Sequence, residues 1–76
     1  MKTYIFTVGI EQEEDGRWSA WVDALPGCAV WGHSKHEALE ALQEAAHAYI
    51  QVLVDKGQPI PPGVQSIDAP AVAVTV

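Results

Sequence analysis

The sequence predicts a small α+β domain of order β-β-β-α-β, an antiparallel sheet covered on one face by a single helix. Three observations point to it. Apolar residues alternate through two early segments; Ser34 opens a long run with apolar residues at three- and four-residue steps; and a proline-rich exit leads to a final alternating stretch, AVAVTV. With 76 residues, the chain is expected to form one domain over 1–76 with one modest core and no appended DNA-binding segment.

The first segment places Tyr4, Phe6, Val8 and Ile10 on one parity and Thr3, Thr7, Gly9 and Glu11 on the other, the pattern of a half-buried strand. The polar cluster EQEEDG ends in the turn pair Asp15-Gly16. A second alternating segment follows, with Trp18, Ala20 and Val22 on one side and Arg17, Ser19 and Asp23 on the other, completing an antiparallel hairpin. Pro26-Gly27 then reverses the chain, and Cys28 to Gly32 is long enough for a third short strand.

Ser34-Lys35-His36-Glu37 has the S-x-x-E form of a capping box, in which Ser34 accepts from the Glu37 N–H and the Glu37 side chain bonds back to the Ser34 N–H. Helical periodicity starts at once, through Ala38, Leu39, Leu42, Ala45, Ala46, Tyr49, Ile50 and Leu53. Gly57 is the stop signal. QPIPPG is too rich in proline for a helix or a central strand, and Val72, Val74 and Val76 alternate as a candidate fourth strand.

Composition excludes several function classes. Apolar residues make up 49% and charged residues 18%, a balance unlike a disordered chain, and no apolar run approaches a membrane span. The start, MKTYIFTV, lacks the form of a signal sequence, so the expected compartment is the cytoplasm. The formal net charge of −6, with four Lys and Arg, argues against direct nucleic-acid binding, which rests on cationic neutralisation of phosphates. A basic protein partner fits that sign better.

Candidate chemistry is sparse. Cys28 and His33 invite a thiolate–imidazole reading, but a lone cysteine after a Pro-Gly turn is more often a small core residue, and no third orienting group is evident. His36 and His47 lie roughly 16 Å apart along a helix, too far to meet at one ion, and His33 with His36 supplies only two ligands. Glu11, Glu13, Glu14 and Asp15 fall at a hairpin tip, where carboxylates are ordinarily solvated. No P-loop, dinucleotide fingerprint or nucleophile elbow occurs. The reading is therefore of a protein that is not an enzyme and uses no metal or cofactor.

The parity argument does single out a surface. One helix covers one side of a sheet, yet alternation sends Ile5 and Trp21 to the side opposite Tyr4, Phe6, Trp18 and Val22, and Trp31 in the third strand is placed to join them. Trp is enriched at protein interfaces, so this outward face is a candidate for partner binding or self-association into a dimer or tetramer.

The string Asp15-Gly16-Arg17-Trp18-Ser19-Ala20-Trp21-Val22, then Leu25-Pro26-Gly27-Cys28, then Gly32-His33-Ser34-Lys35-His36-Glu37-Ala38-Leu39, resembles the HicB-like antitoxin family. That pattern runs as an acidic-Gly hairpin, an aromatic strand, L-P-G-C and G-x-[ST]-x-x-E-A, and Gly57-Gln58-Pro59-Ile60-Pro61 looks like the family's helix exit. One departure is that Asp23-Ala24 stand where the family often has a proline and an acidic residue.

The resemblance implies a partly degraded ribonuclease-H-like fold that binds and masks a small basic HicA-type mRNA-interferase toxin. It does not bring nuclease chemistry, because the inner strand positions here are Tyr4, Phe6, Val8, Trp18, Ala20 and Val22 rather than metal-binding carboxylates. On this reading Glu13, Glu14 and Asp23 steer the cationic partner while Ile5, Trp21 and Trp31 supply contact area. The competing expectation is a stand-alone homo-oligomeric binding or scaffold domain with no toxin partner.

Overall fold

In a computed structural model, residues 2–68 of the chain are described. The elements are β1 (Thr3–Ile5), β2 (Val8–Gln12), β3 (Trp18–Val22), β4 (Ala29–Gly32), α1 (Lys35–Asp55) and β5 (Gln65–Ile67). They form two antiparallel sheets, a three-stranded one of order β2-β3-β4 and a two-stranded ribbon of β1 and β5. The architecture is the small α+β domain that the sequence predicts.

Two details differ from the sequence reading. The expected first strand is split at Phe6-Thr7, because β3 has nothing left to offer it: Val8 pairs with Val22, and the chain beyond Val22 turns away through a Leu25 N–H to Val22 carbonyl bond of 3.1 Å. The earlier residues pair instead with β5, in the register Thr3↔Ile67 and Ile5↔Gln65. That short strand follows the proline-rich QPIPPG stretch, at residues to which the sequence assigns no element; the fourth strand expected at Val72, Val74 and Val76 lies outside the described residues.

The β2–β3 hairpin closes through Glu13 to Gly16, where the Gly16 N–H donates to the Glu13 carbonyl at 3.0 Å and Gly16 takes a φ of 91°, the left-handed region glycine occupies without a Cβ penalty. The Leu25-Pro26-Gly27-Cys28 segment is a second tight turn, with the Cys28 N–H on the Leu25 carbonyl at 3.0 Å. Proline fixes the first central φ, and Gly27 at φ 81° supplies the positive second one. Both turn ends point inward, so Leu25 and Cys28 are core residues.

The helix starts where the sequence places it. Ser34 Oγ accepts from the Glu37 N–H at 3.1 Å, but the returning Glu37 carboxylate takes the His33 N–H at 3.3 Å rather than that of Ser34. The reciprocal half of the capping box is thus displaced by one residue. At the other end, Gln58 donates to the Leu53 carbonyl and Gly57 to the Val54 carbonyl, the paired bonds of a Schellman stop.

Ala38, Leu42, Ala46 and Ile50 form the buried stripe of α1, one residue per turn, and pack with Ala20, Val22, Leu25 and Cys28. Trp18, Ile10, Val30, Tyr4 and Phe6 close the sides. Small residues on the helix allow close approach to the sheet. At Gly32 a Cβ would lie 2.6 Å from the Ala38 nitrogen, so the helix N-terminus seats directly on β4.

Candidate functional site

With the helix on one side, the other face of β2-β3-β4 is uncovered among the described residues. Cross-strand pairing fixes what it displays: one row reads Gly9↔Trp21↔Ala29 and the next Glu11↔Ser19↔Trp31. Glu13, Arg17 and His33 extend the same face beyond the strand ends, through their contacts with Ser19 and Trp31.

The two tryptophans occupy this face differently. The Trp21 indole lies across Gly9, so closely that any Cβ there would collide with the ring, and Trp21 is half-buried as a result. Trp31 has no such bed and is 54% exposed. It is held from the sides instead, with the Arg17 guanidinium carbon 5.1 Å from the ring centroid and the His33 ring edge-on at 5.3 Å and 89°.

Arg17 is in turn fixed by Asp15, whose carboxylate accepts from the Arg17 Nε at 2.7 Å and from the Arg17 backbone N–H at 3.1 Å. The backbone donor, then the guanidinium, hold the Asp15 carboxyl below the usual carboxylate range. Glu13 accepts from Ser19 Oγ at 2.7 Å, tying the hairpin tip to the middle of the sheet.

Of the residues singled out in the sequence, Glu13, Trp21 and Trp31 fall on this face, Glu14 lies exposed at the adjoining hairpin tip, and Asp23 lies exposed in the turn that follows β3. Ile5 does not join them. It belongs to the β1–β5 ribbon, where it is 47% exposed on the same side as Ile67. Arg17 and His33 were missed as partners of Trp31; the alternation carried their parity, whereas the cross-strand register that brings them to one ring becomes visible only in the fold.

The other candidates are dispersed. Cys28 faces the core while His33 packs on the outward Trp31, so the two are not brought together. Burial pushes the Cys28 thiol up, disfavouring the thiolate. His36 pairs with Glu40 at 2.8 Å along the helix surface. Among the described residues no group of three or more His, Cys, Asp or Glu is placed to hold a metal ion, and no helix is long and apolar enough to cross a membrane. A groove of about 510 Å³ lies between β1 and α1, lined by Tyr4, Phe6, Ala46, His47, Ile50 and Val54 among others.

The sequence profile of a family described as "HicB_like antitoxin of bacterial toxin-antitoxin system" matches residues 6–73. Among curated proteins, the chain is similar to a UPF0150 protein of Thermoplasma acidophilum, 45% identical over 56 residues that cover 74% of this chain and 81% of that one. It is also similar to UPF0150 proteins of Synechocystis sp. (38% identical, 76% and 73% covered) and Archaeoglobus fulgidus (37% identical, 83% and 91% covered). No solved structure matches the chain.

Proposed function

The chain belongs to the HicB-like antitoxin family, and from that premise we propose that it masks a small basic mRNA-interferase toxin of the HicA type, docking it on the outer face of β2-β3-β4. The observation that supports this reading is the uncovered face itself, with Trp21 on its central strand, Trp31 on its edge strand β4 and carboxylates at the β2 side and hairpin tip, on a chain of formal net charge −6. Apolar contact at the middle and unlike charge at the rim are what a protein interface against a cationic partner needs. In this role the chain performs no chemistry of its own; it occludes the toxin's RNA-binding surface.

Mixing the chain with an active HicA-type toxin from the same organism tests this. A stoichiometric amount stops RNA cleavage, and the two proteins co-elute as one species. Asp23→Lys and Glu14→Lys together slow association about 10-fold at low salt, an effect that shrinks as salt screens the charges. Unabated cleavage in the presence of a several-fold excess of the chain overturns the proposal.

A second reading, a homo-oligomer that needs no toxin, draws on a different surface. Ile5 and Ile67 stand exposed on one side of the ribbon, at 47% and 37%. Sedimentation of the isolated chain separates the two readings: a dimer or tetramer dispersed by Ile5→Lys favours self-association through the ribbon, and an unaltered monomer removes it.

A further inference from the structure

We propose that Trp31 is the anchor of the docking face and that Arg17 is the positioning residue that holds its indole ready for a cationic partner. The inference rests on the masking role above and specifies where on the face binding strength resides. A tryptophan 54% exposed on a sheet would ordinarily sample several rotamers, and a partner would have to immobilise it. Here Arg17 lies over the ring at 5.1 Å and His33 meets it edge-on at 5.3 Å, so the side chain is braced before binding.

The chain of supports continues inward: Asp15 grips Arg17 through two bonds, from its Nε and its backbone N–H. That grip also answers an electrostatic objection. Arg17 is the chain's one arginine, and an unpaired guanidinium over the anchoring indole would repel a basic partner; the Asp15 carboxylate compensates it at 2.7 Å. Glu11 shares the cross-strand row of Trp31 through Ser19, and Glu13 is bonded to that same Ser19, so carboxylates stand beside the indole with the sign that fits a cationic rim on the partner. The occupant is thus a positively charged protein surface with an apolar recess that takes an indole.

Trp21 does not share the role. Its ring is already laid on Gly9, and little of it remains to insert into another molecule. Anchor and rim divide the kinetics: Trp31 governs dissociation, which salt leaves nearly unchanged, and the carboxylates govern association, which salt slows.

The test uses the full chain and a catalytically inactivated HicA-type toxin from the same organism, with binding followed by surface plasmon resonance. Trp31→Ala raises Kd by about 30-fold or more, the loss that marks a hot spot, chiefly through faster dissociation, while the thermal midpoint changes little. Trp31→Phe recovers part of the loss. Arg17→Ala weakens binding less, about 3- to 10-fold, and in the free chain it lowers the ¹⁵N order parameter of the Trp31 indole N–H; Arg17→Lys restores both in part. Undiminished affinity in Trp31→Ala overturns the anchor while leaving the masking role intact. An equally rigid indole in Arg17→Ala overturns the positioning role, and failure of the native chain to bind the toxin at all overturns the masking role and the anchor with it.

Discussion

The β2-β3-β4 sheet and the β1–β5 ribbon are both antiparallel, yet they are held in different ways. The sheet has a helix packed on one face and contributes Ala20 and Val22 to the core at 0% and 3% exposure. The ribbon has three residues per strand, and all of β5 is exposed. A two-stranded ribbon in water is marginal by itself, so Tyr4 and Phe6, which lean on the core, tie the ribbon to the domain. The difference teaches where stability is concentrated: in the helix–sheet sandwich, with the ribbon a dependent addition.

The sharpest way to break this comparison is to remove equivalent apolar volume from each region. Leu42 is 2% exposed at the middle of the helix stripe, and Leu42→Ala costs about 2–5 kcal/mol, enough to leave a domain of this size largely unfolded at 37 °C. Ile67→Ala, on the ribbon, costs less than about 1 kcal/mol. Urea denaturation of the two variants measures both. Comparable losses would mean that the ribbon is as much a part of the cooperative core as the helix is.

The same contrast explains what the sequence discloses. The inner parity of Trp18, Ala20 and Val22 and the helix stripe through Leu42 and Ile50 are legible because burial on one face writes a period into the residues. Leu25-Pro26-Gly27-Cys28 is legible because its turn demands those residue types. The break at Phe6-Thr7 is not, since alternation runs through it unaltered and only the change of pairing partner from β3 to β5 causes it. Nor is β5 itself, whose Gln65-Ser66-Ile67 carries no strand signal apart from its pairing. At the candidate site, the facing of Trp21 and Trp31 follows from parity, whereas their unequal exposure follows from Gly9, whose missing side chain makes room for only one of them.

Gly9 sharpens the comparison within the sheet. It pairs with Trp21 across the strands, and what it provides is a flat bed for the Trp21 ring. Gly9→Ala drives a methyl group into that indole and forces it off the sheet, at a cost of about 1–3 kcal/mol. Trp21 becomes more exposed in the process, so its fluorescence emission shifts to the red. A variant with native stability and unchanged emission would show that the strand relaxes around the methyl and that the tryptophan's position does not depend on this glycine.

The smallest effect belongs to the hairpin tip, where sheet geometry gives way to local hydrogen bonding. Asp15 is exposed at the surface, and its carboxyl is held below the ordinary value of 3.8 chiefly by the Arg17 backbone N–H. A carboxylate whose folded pKa is depressed stabilises the fold above its unfolded pKa, and that contribution fades as pH falls through the folded value. Asp15→Asn keeps an oxygen for the backbone bond and loses the ion pair, so its thermal midpoint at pH 7 lies less than about 3 °C below the native one. The gap begins to close below pH 3.8 and vanishes once the pH has fallen through the depressed folded value, where the native carboxyl is neutral as well. A gap of constant size down to pH 2 would assign the contribution of Asp15 to the shape of the turn and remove charge from the account of how Arg17 is held against Trp31.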